Sequence, residues 1–219
     1  MKLIYISFIS SALLFGCDFS LNPQSKRKTQ ALINYLEYRR EFDHWLVKHF
    51  PNDFSGETLS FYSSKNFTKH DIGFYLYEYD VSFSALKALQ KRVERNAVAH
   101  YQTYDSLIFV INRFETLKTD YERSIPKIKD LLYKDSSLFT GLYPVPNFLE
   151  YEKPISTRNG IWLPKDFDLY VLEAKSGVYC TEFELKENFQ MPKGWKNGFS
   201  RGVAINKKDR TVIYWGVMW

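Results

Sequence analysis

Apolar positions recur along the chain with two periods, and the switches between them mark the elements. From Thr29 to Phe50, residues Leu32, Tyr35, Leu36, Phe42, Trp45, Leu46 and Phe50 fall near one face of a helix, with Glu37, Arg39, Arg40 and Glu41 mainly on the other. Thr29 is placed to cap its start and Pro51 to follow its end. Leu59–Ser63 predicts a short strand. Asp71–Phe83 alternates: Ile72, Phe74 and Leu76 share one face, and Tyr75, Tyr77, Tyr79 and Val81 share the other. The tyrosine row suits either a second packed layer or a half-exposed surface. Cross-strand packing is the commoner use. Ser84–Ala99 predicts a helix with Leu86, Leu89, Val93 and Ala97 inside and Lys87, Lys91, Arg92, Glu94 and Arg95 outside.

Asp105–Arg113 contains the unbroken apolar run Leu107–Ile111, which predicts a central strand covered on both faces. Ser124–Lys134 predicts a third helix, with Pro126 in its first turn. Asp135–Pro164 is punctuated by Pro144, Pro146, Pro154, Gly141 and Gly160, and predicts an irregular wrap with short strand pieces. Phe167–Ala174 and Val178–Leu185 predict two strands. Phe199–Ile205 and Thr211–Trp219 predict a closing hairpin across the polar turn Asn206–Arg210, its last strand apolar on both faces. The elements add up to a single α+β domain over residues 29–219. It has an antiparallel or mixed sheet of about six strands with two or three packed helices.

The start of the chain has a different logic. Lys2 is followed by Leu3–Phe15, an uncharged and mostly apolar run of 13 residues, then Gly16 and Cys17. Crossing a bilayer as a helix takes about 20 residues, so the run is short for an anchor and matches the apolar core of a secretory leader. Leu14-Phe15-Gly16-Cys17 resembles the lipobox of bacterial lipoproteins, with Leu14 and Gly16 matching that pattern and Phe15 bulkier than usual. The resemblance implies that residues 1–16 are a signal peptide removed before Cys17, and that Cys17 carries a diacylglyceryl group. The protein would then sit in the cell envelope, held to a membrane by lipid and facing the periplasm or exterior. Two or more acyl chains bind a membrane stably, at about 0.8 kcal/mol per buried CH2. Residues 17–28 read as a flexible basic tether; Lys26-Arg27-Lys28 either lies on anionic headgroups or is simply solvated.

Composition adds three limits. Removing the leader leaves 203 residues, enough for one domain with a real core and short for two. The mature part keeps 29 basic and 25 acidic side chains, a mild and well-mixed balance that is not the footprint of a nucleic-acid binder. With Cys17 acylated, Cys180 has no partner for a disulfide and no second thiol for a metal site; burial as a small hydrophobe is its expected fate. Aromatic residues are 18% of the chain, which favours strands, an aromatic core, or an aromatic binding surface.

No phosphate loop, nucleophile elbow, zinc motif or cofactor signature occurs. His44 and His49 are five apart and do not share a helix face as a metal pair would. His70-Asp71 reads as a strand start rather than an acid–base pair. Glu78 and Asp80 read as the point where their strand leaves the core, with a glycosidase-like carboxylate pair as the sharper alternative. The better candidates for ligand binding are Trp195, Lys196, Asn197 and Arg201, in or near the loop before the final hairpin, with Trp162 and Tyr143 in the other irregular region. Such residues either read a peptide, glycan or protein partner, or plug the end of the core. The expected function is a non-catalytic, lipid-anchored binding or interaction module with an envelope protein or glycan as partner. An envelope hydrolase acting on glycan or peptide is the alternative.

Overall fold

Six strands form one antiparallel sheet: β1 (Thr58–Ser63), β2 (Ile72–Tyr79), β3 (Ala99–Gln102), β4 (Asp168–Ser176), β5 (Gly198–Asn206) and β6 (Thr211–Met218), in the spatial order β1-β2-β6-β5-β4-β3. The computed structural model describes residues 23–63, 71–105, 108–111, 140–148, 163–180, 182, 185–188 and 191–219. Among the described residues, three α-helices, α1 (Pro23–Arg39), α2 (His44–Val47) and α3 (Phe83–Asn96), complete the α+β domain. The β5–β6 hairpin closes over a turn in which the Asn206 side chain accepts from Asp209 N at 2.9 Å and donates to Asp209 Oδ2 at 2.8 Å.

Both faces of the sheet are covered, and the alternation along the strands assigns each side chain to a face. Phe74 and Leu76 of β2, Phe199, Val203 and Ile205 of β5, and Val212, Tyr214 and Met218 of β6 pack with Tyr35, Leu46, Leu86, Leu89 and Val93 from the helices and with Phe42 and Phe50 from the segments flanking α2. On the opposite face, Tyr75, Tyr77, Leu169, Val171, Ile213, Trp215, Val217 and Trp219 pack with Phe109, Val110, Ile111, Val145 and Phe148. The tyrosine row of β2 therefore packs at Tyr75 and Tyr77, and only Tyr79, at the strand's end, is exposed.

Several elements differ from the sequence expectation, each for a physical reason. The helix expected over Thr29–Phe50 is broken. It starts earlier, at Pro23, so Pro23–Lys28 is helical rather than tether. It then tightens into i−3 bonds, Glu41 N to Tyr38 O at 3.1 Å and Phe42 N to Arg39 O at 3.3 Å. The chain restarts as α2 beyond Asp43, whose ψ of 129° is extended. The break redirects Leu46 and Phe50 onto the sheet, where a straight helix would have carried them past it. The described part of the run, Ile108–Ile111, is not a central strand. Among the described residues, Phe109–Ile111 lies over the sheet and makes a bridge with Val145, with Ile111 N to Val145 O at 2.9 Å and Val145 N to Phe109 O at 2.8 Å. Its continuous apolarity comes from being sandwiched, not from pairing within the sheet. No strand forms at the described positions of Val178–Leu185, although Cys180 is buried as expected. β3 was not anticipated, because Ala99 reads as the end of the preceding helix. Residues 1–22, including Cys17, the helix expected at Ser124–Lys134, His70 and Trp162 lie outside the described residues.

Candidate functional site

The route to the site begins at Gly216 in β6. A Cβ there would stand 2.9 Å from Leu46 O and 3.0 Å from Leu46 Cγ, so glycine is what lets α2 lie directly on the strand. That seating carries the following residues down onto β5 and β6. His49 Nε2 comes 3.1 Å from Gly202 O and 2.9 Å from Trp215 O. Two carbonyl acceptors place the ring proton on Nε2. Burial first, and then the Arg201 charge, lower the His49 pKa to about 3, so the ring is neutral. Its Nδ1 is buried without a hydrogen-bond partner.

Beyond His49 the chain is fastened by Arg39 at the end of α1, whose Nη1 donates to Pro51 O at 2.6 Å and whose Nη2 donates to Asn52 Oδ1 at 2.8 Å. This fixed segment, the last turns of α3 and the middle of β4 and β5 enclose a cavity of about 640 Å3. Phe50, Pro51, Val93, Leu172 and Val203 give it apolar walls; Asn52 and Asn96 contribute amides; Lys48, Arg92 and Arg201 contribute positive charge. Among the described residues, no carboxylate lines it. Its size falls in the range of about 300–1,000 Å3 typical of small-molecule sites.

Arg201 is the deepest of the three cations, only 7% exposed in the middle of β5. Its Nε and Nη2 donate to Glu173 Oε2 at 3.1 and 2.7 Å across the β4–β5 pair. Lys175 Nζ donates to the other oxygen, Oε1, at 2.8 Å. Lys175 first, and then Arg201, hold the Glu173 carboxyl down at a pKa of about 2. Glu173 uses one side of the guanidinium and sets its orientation, leaving Nη1 for a ligand. Lys48 and Arg92 are exposed and come from different elements, the end of α2 and the outer face of α3.

The four residues expected to form one binding surface are split by the sheet. Trp195 stands at the far end, half-buried, with its ring stacked on Trp219 at 6.1 Å and edge-on to Phe109 at 5.9 Å. The Asn197 amide donates to Leu185 O and Trp219 O, and Lys196 Nζ donates to Asn188 O. These contacts close the end of the core. Trp195 does share a shallower cavity of about 420 Å3 with Tyr143, Leu142 and Pro192, bringing together two of the aromatics picked from the sequence. Arg201, by contrast, lies mid-strand on the helix-covered face, not in the loop.

Glu78 does not mark an exit from the core. It is 1% exposed, and its Oε2 accepts from Ser55 N at 3.1 Å, Ser55 Oγ at 3.1 Å and Gly56 N at 3.3 Å. Asp80 pairs with Arg210 at 2.6 Å. Each carboxylate is thus engaged with its own partners, and the glycosidase-like pair is not assembled. Among the described residues, no group of three or more His, Cys, Asp or Glu is placed to hold a metal ion, and no helix is long and apolar enough to cross a membrane.

Sequence reasoning missed Lys48, His49 and Arg92 as a group. Arg92 reads in the sequence as part of a charged outer helix face, His49 reads only as a histidine that shares no face with His44, and nothing singles out Lys48. Only the break between α1 and α2 and the seating on Gly216 bring them together. Comparisons with protein-family models, with curated proteins and with solved structures each return no match.

Proposed function

We propose that this chain is a lipid-anchored envelope protein, held through Cys17, whose domain is a non-catalytic binding module for an anionic ligand seated between α2, α3 and the sheet. The observation that carries the reading is the lining of the cavity: Lys48, Arg92 and Arg201 converge from three elements, with no carboxylate among the described lining residues. Fixed like charge in a concave, partly apolar site raises the local concentration of anions and strengthens their binding. Binding rather than catalysis is favoured by His49. Its proton is engaged by two backbone carbonyls, and its low pKa keeps it from acting as a general acid near neutral pH. The anion would be presented by an envelope component, on a glycan, a protein or a small molecule.

Crosslinking in intact cells followed by pull-down tests the reading, comparing the parent with a Lys48→Glu/Arg92→Glu variant. Both positions are exposed, so the reversal leaves the fold intact. Capture of an envelope component by the parent and its loss in the variant is the expected result. Identical capture by both would remove the cavity from the function. An intact mass showing unmodified Cys17 in the mature protein would remove the lipid anchor.

A further inference from the structure

We infer that the cavity takes an organic phosphomonoester, with its dianionic phosphoryl group on Arg201, Lys48 and Arg92 and its hydroxylated organic part against the apolar wall. The inference rests on the anion-binding reading above and narrows it.

Charge gives the first argument. Three cations line the cavity, and Glu173, which is shared with Lys175, offsets no more than one of them through its pair with Arg201, leaving at least two positive charges to be met. A phosphomonoester carries about −1.5 to −2 at pH 7, whereas a carboxylate or a phosphodiester carries a single charge and leaves one cation uncompensated. Geometry gives the second. A guanidinium is a planar set of donors suited to phosphate oxygens, and Glu173, bound through Nε and Nη2, holds that plane in place before any ligand arrives. Preorganisation of this kind lowers the cost of binding. The remaining space gives the third. A volume of about 640 Å3 is far more than a bare phosphate fills, and Phe50, Val93 and Leu172 offer surface for an attached group. Asn52 spends its Oδ1 on Arg39, and Asn96 spends its Nδ2 on Arg92 O at 2.7 Å. That leaves an amide donor on Asn52 and an amide acceptor on Asn96, the pair of functions that recognises hydroxyl groups.

The same headgroup chemistry occurs on soluble sugar or polyol phosphates and on monoester phospholipids, and the test separates these sources. Full-length protein in neutral detergent is titrated calorimetrically with glycerol 3-phosphate, glycerophosphocholine, acetate and inorganic phosphate. In a second arm it is mixed with phosphatidylcholine vesicles with and without phosphatidic acid. Binding of glycerol 3-phosphate, or of the phosphatidic acid vesicles alone, supports the inference and names the source. The diester should bind at least about tenfold more weakly than the monoester, and Lys48→Ala/Arg92→Ala should lose at least about tenfold with unchanged melting. Affinity for the monoester should fall between pH 7.5 and 5 as the phosphate takes up its second proton near pH 6. Monoester and diester bound equally, acetate bound as tightly as glycerol 3-phosphate, or monoester binding untouched by the double variant would overturn the inference. If acetate binds in a manner abolished by the double variant while the monoester does not, the anion-binding reading stands and the phosphomonoester falls. If no anion binds, both fall.

Discussion

Gly202 in β5, the residue next to Arg201, gives the sharpest test of the packing that holds the site. A Cβ built there would penetrate the carbonyl oxygen of Tyr170 and the Cζ2 of Trp215, and would stand 2.5 Å from Trp215 Cη2. Neither neighbour can retreat. Tyr170 O belongs to the backbone of β4, paired with β5 along its length. The Trp215 ring is fully buried, lies edge-on to Phe148 at 5.6 Å, and donates its Nε1 proton to Ser200 Oγ at 3.2 Å. Overpacking a fixed core costs about 1–3 kcal/mol, and occasionally more. With backbone on one side and a pinned indole on the other, Gly202→Ala belongs at the upper end, about 3 kcal/mol. For a chain of this size each kcal/mol moves Tm by about 2–4 °C, so the melting temperature should fall by about 6–12 °C. Gly194→Ala is the control, because an added Cβ there meets nothing within 4 Å. Thermal unfolding followed by near-UV circular dichroism reads both variants and reports on the tryptophan environment directly. A Gly202→Ala protein melting within about 2 °C of the parent would show that β4, β5 and Trp215 are not packed as described.

Three further outcomes follow from the same structure. Burial raises the Glu78 pKa above its ordinary 4.5, so the native state retains a proton that the unfolded chain releases, and stability falls as pH rises from 4.5 through the native value. The Tm of Glu78→Gln relative to the parent should therefore climb as pH rises above 4.5; a flat difference would refute the buried carboxyl. His49 has the opposite sign: its pKa drops from 6.5 to about 3, so its contribution is present above pH 6.5 and is lost as pH falls towards 3. His49→Gln should show a shallower loss of Tm over that window, and an unchanged slope would place the acid sensitivity elsewhere. Replacing the charged pair by Arg201→Met/Glu173→Leu should leave Tm unchanged or raised, since apolar substitution of a buried pair is often neutral or gains about 1–4 kcal/mol. The same variant should lose anion binding in calorimetry, and retained binding would exclude Arg201 as an anchor.

Legibility in the sequence followed the strength of local pattern. The β5–β6 hairpin could be read with its faces assigned, because Ile213, Trp215 and Val217 alternate with Val212 and Tyr214 across a polar turn. α3, expected over Ser84–Ala99 and formed over Phe83–Asn96, was legible to within three residues, since Leu86, Leu89 and Val93 face inward. The errors arose where tertiary contacts decide. The amphipathic pattern continues through Arg39–Asp43, and nothing local announces that α2 must turn to meet Gly216, which is 170 residues away from Leu46 in the chain. The run Phe109–Ile111 is apolar enough for a central strand, yet it packs on the face of the sheet and bridges Val145 instead of pairing within it. The site suffered most. Of its charged residues only Arg201 was selected in advance, and on the premise of a loop. A basic residue on a helix face looks the same in sequence whether it meets water or a cavity.

Arg201 is where local and global demands on this fold part company, and that is the argument for giving it the central role. β5 is buried along its whole length, and Phe199, Val203 and Ile205 on the same face as Arg201 are apolar. An apolar residue at position 201 would extend that surface without strain. A guanidinium there must be stripped of most of its water, which costs several kcal/mol, and one carboxylate recovers only part of this. Glu173 itself is half-buried and shared with Lys175, so the pair is not tuned for stability alone. Positions that break the local rule in an otherwise consistent sequence are those expected to serve a site. Here the departure coincides with the cavity, with two further cations at its rim, and with a histidine whose proton is fixed on the strand next to it. A purely structural Arg201 would explain its contact with Glu173. It would not explain why Lys48 and Arg92, which gain no carboxylate from the described cavity lining, stand over the same space.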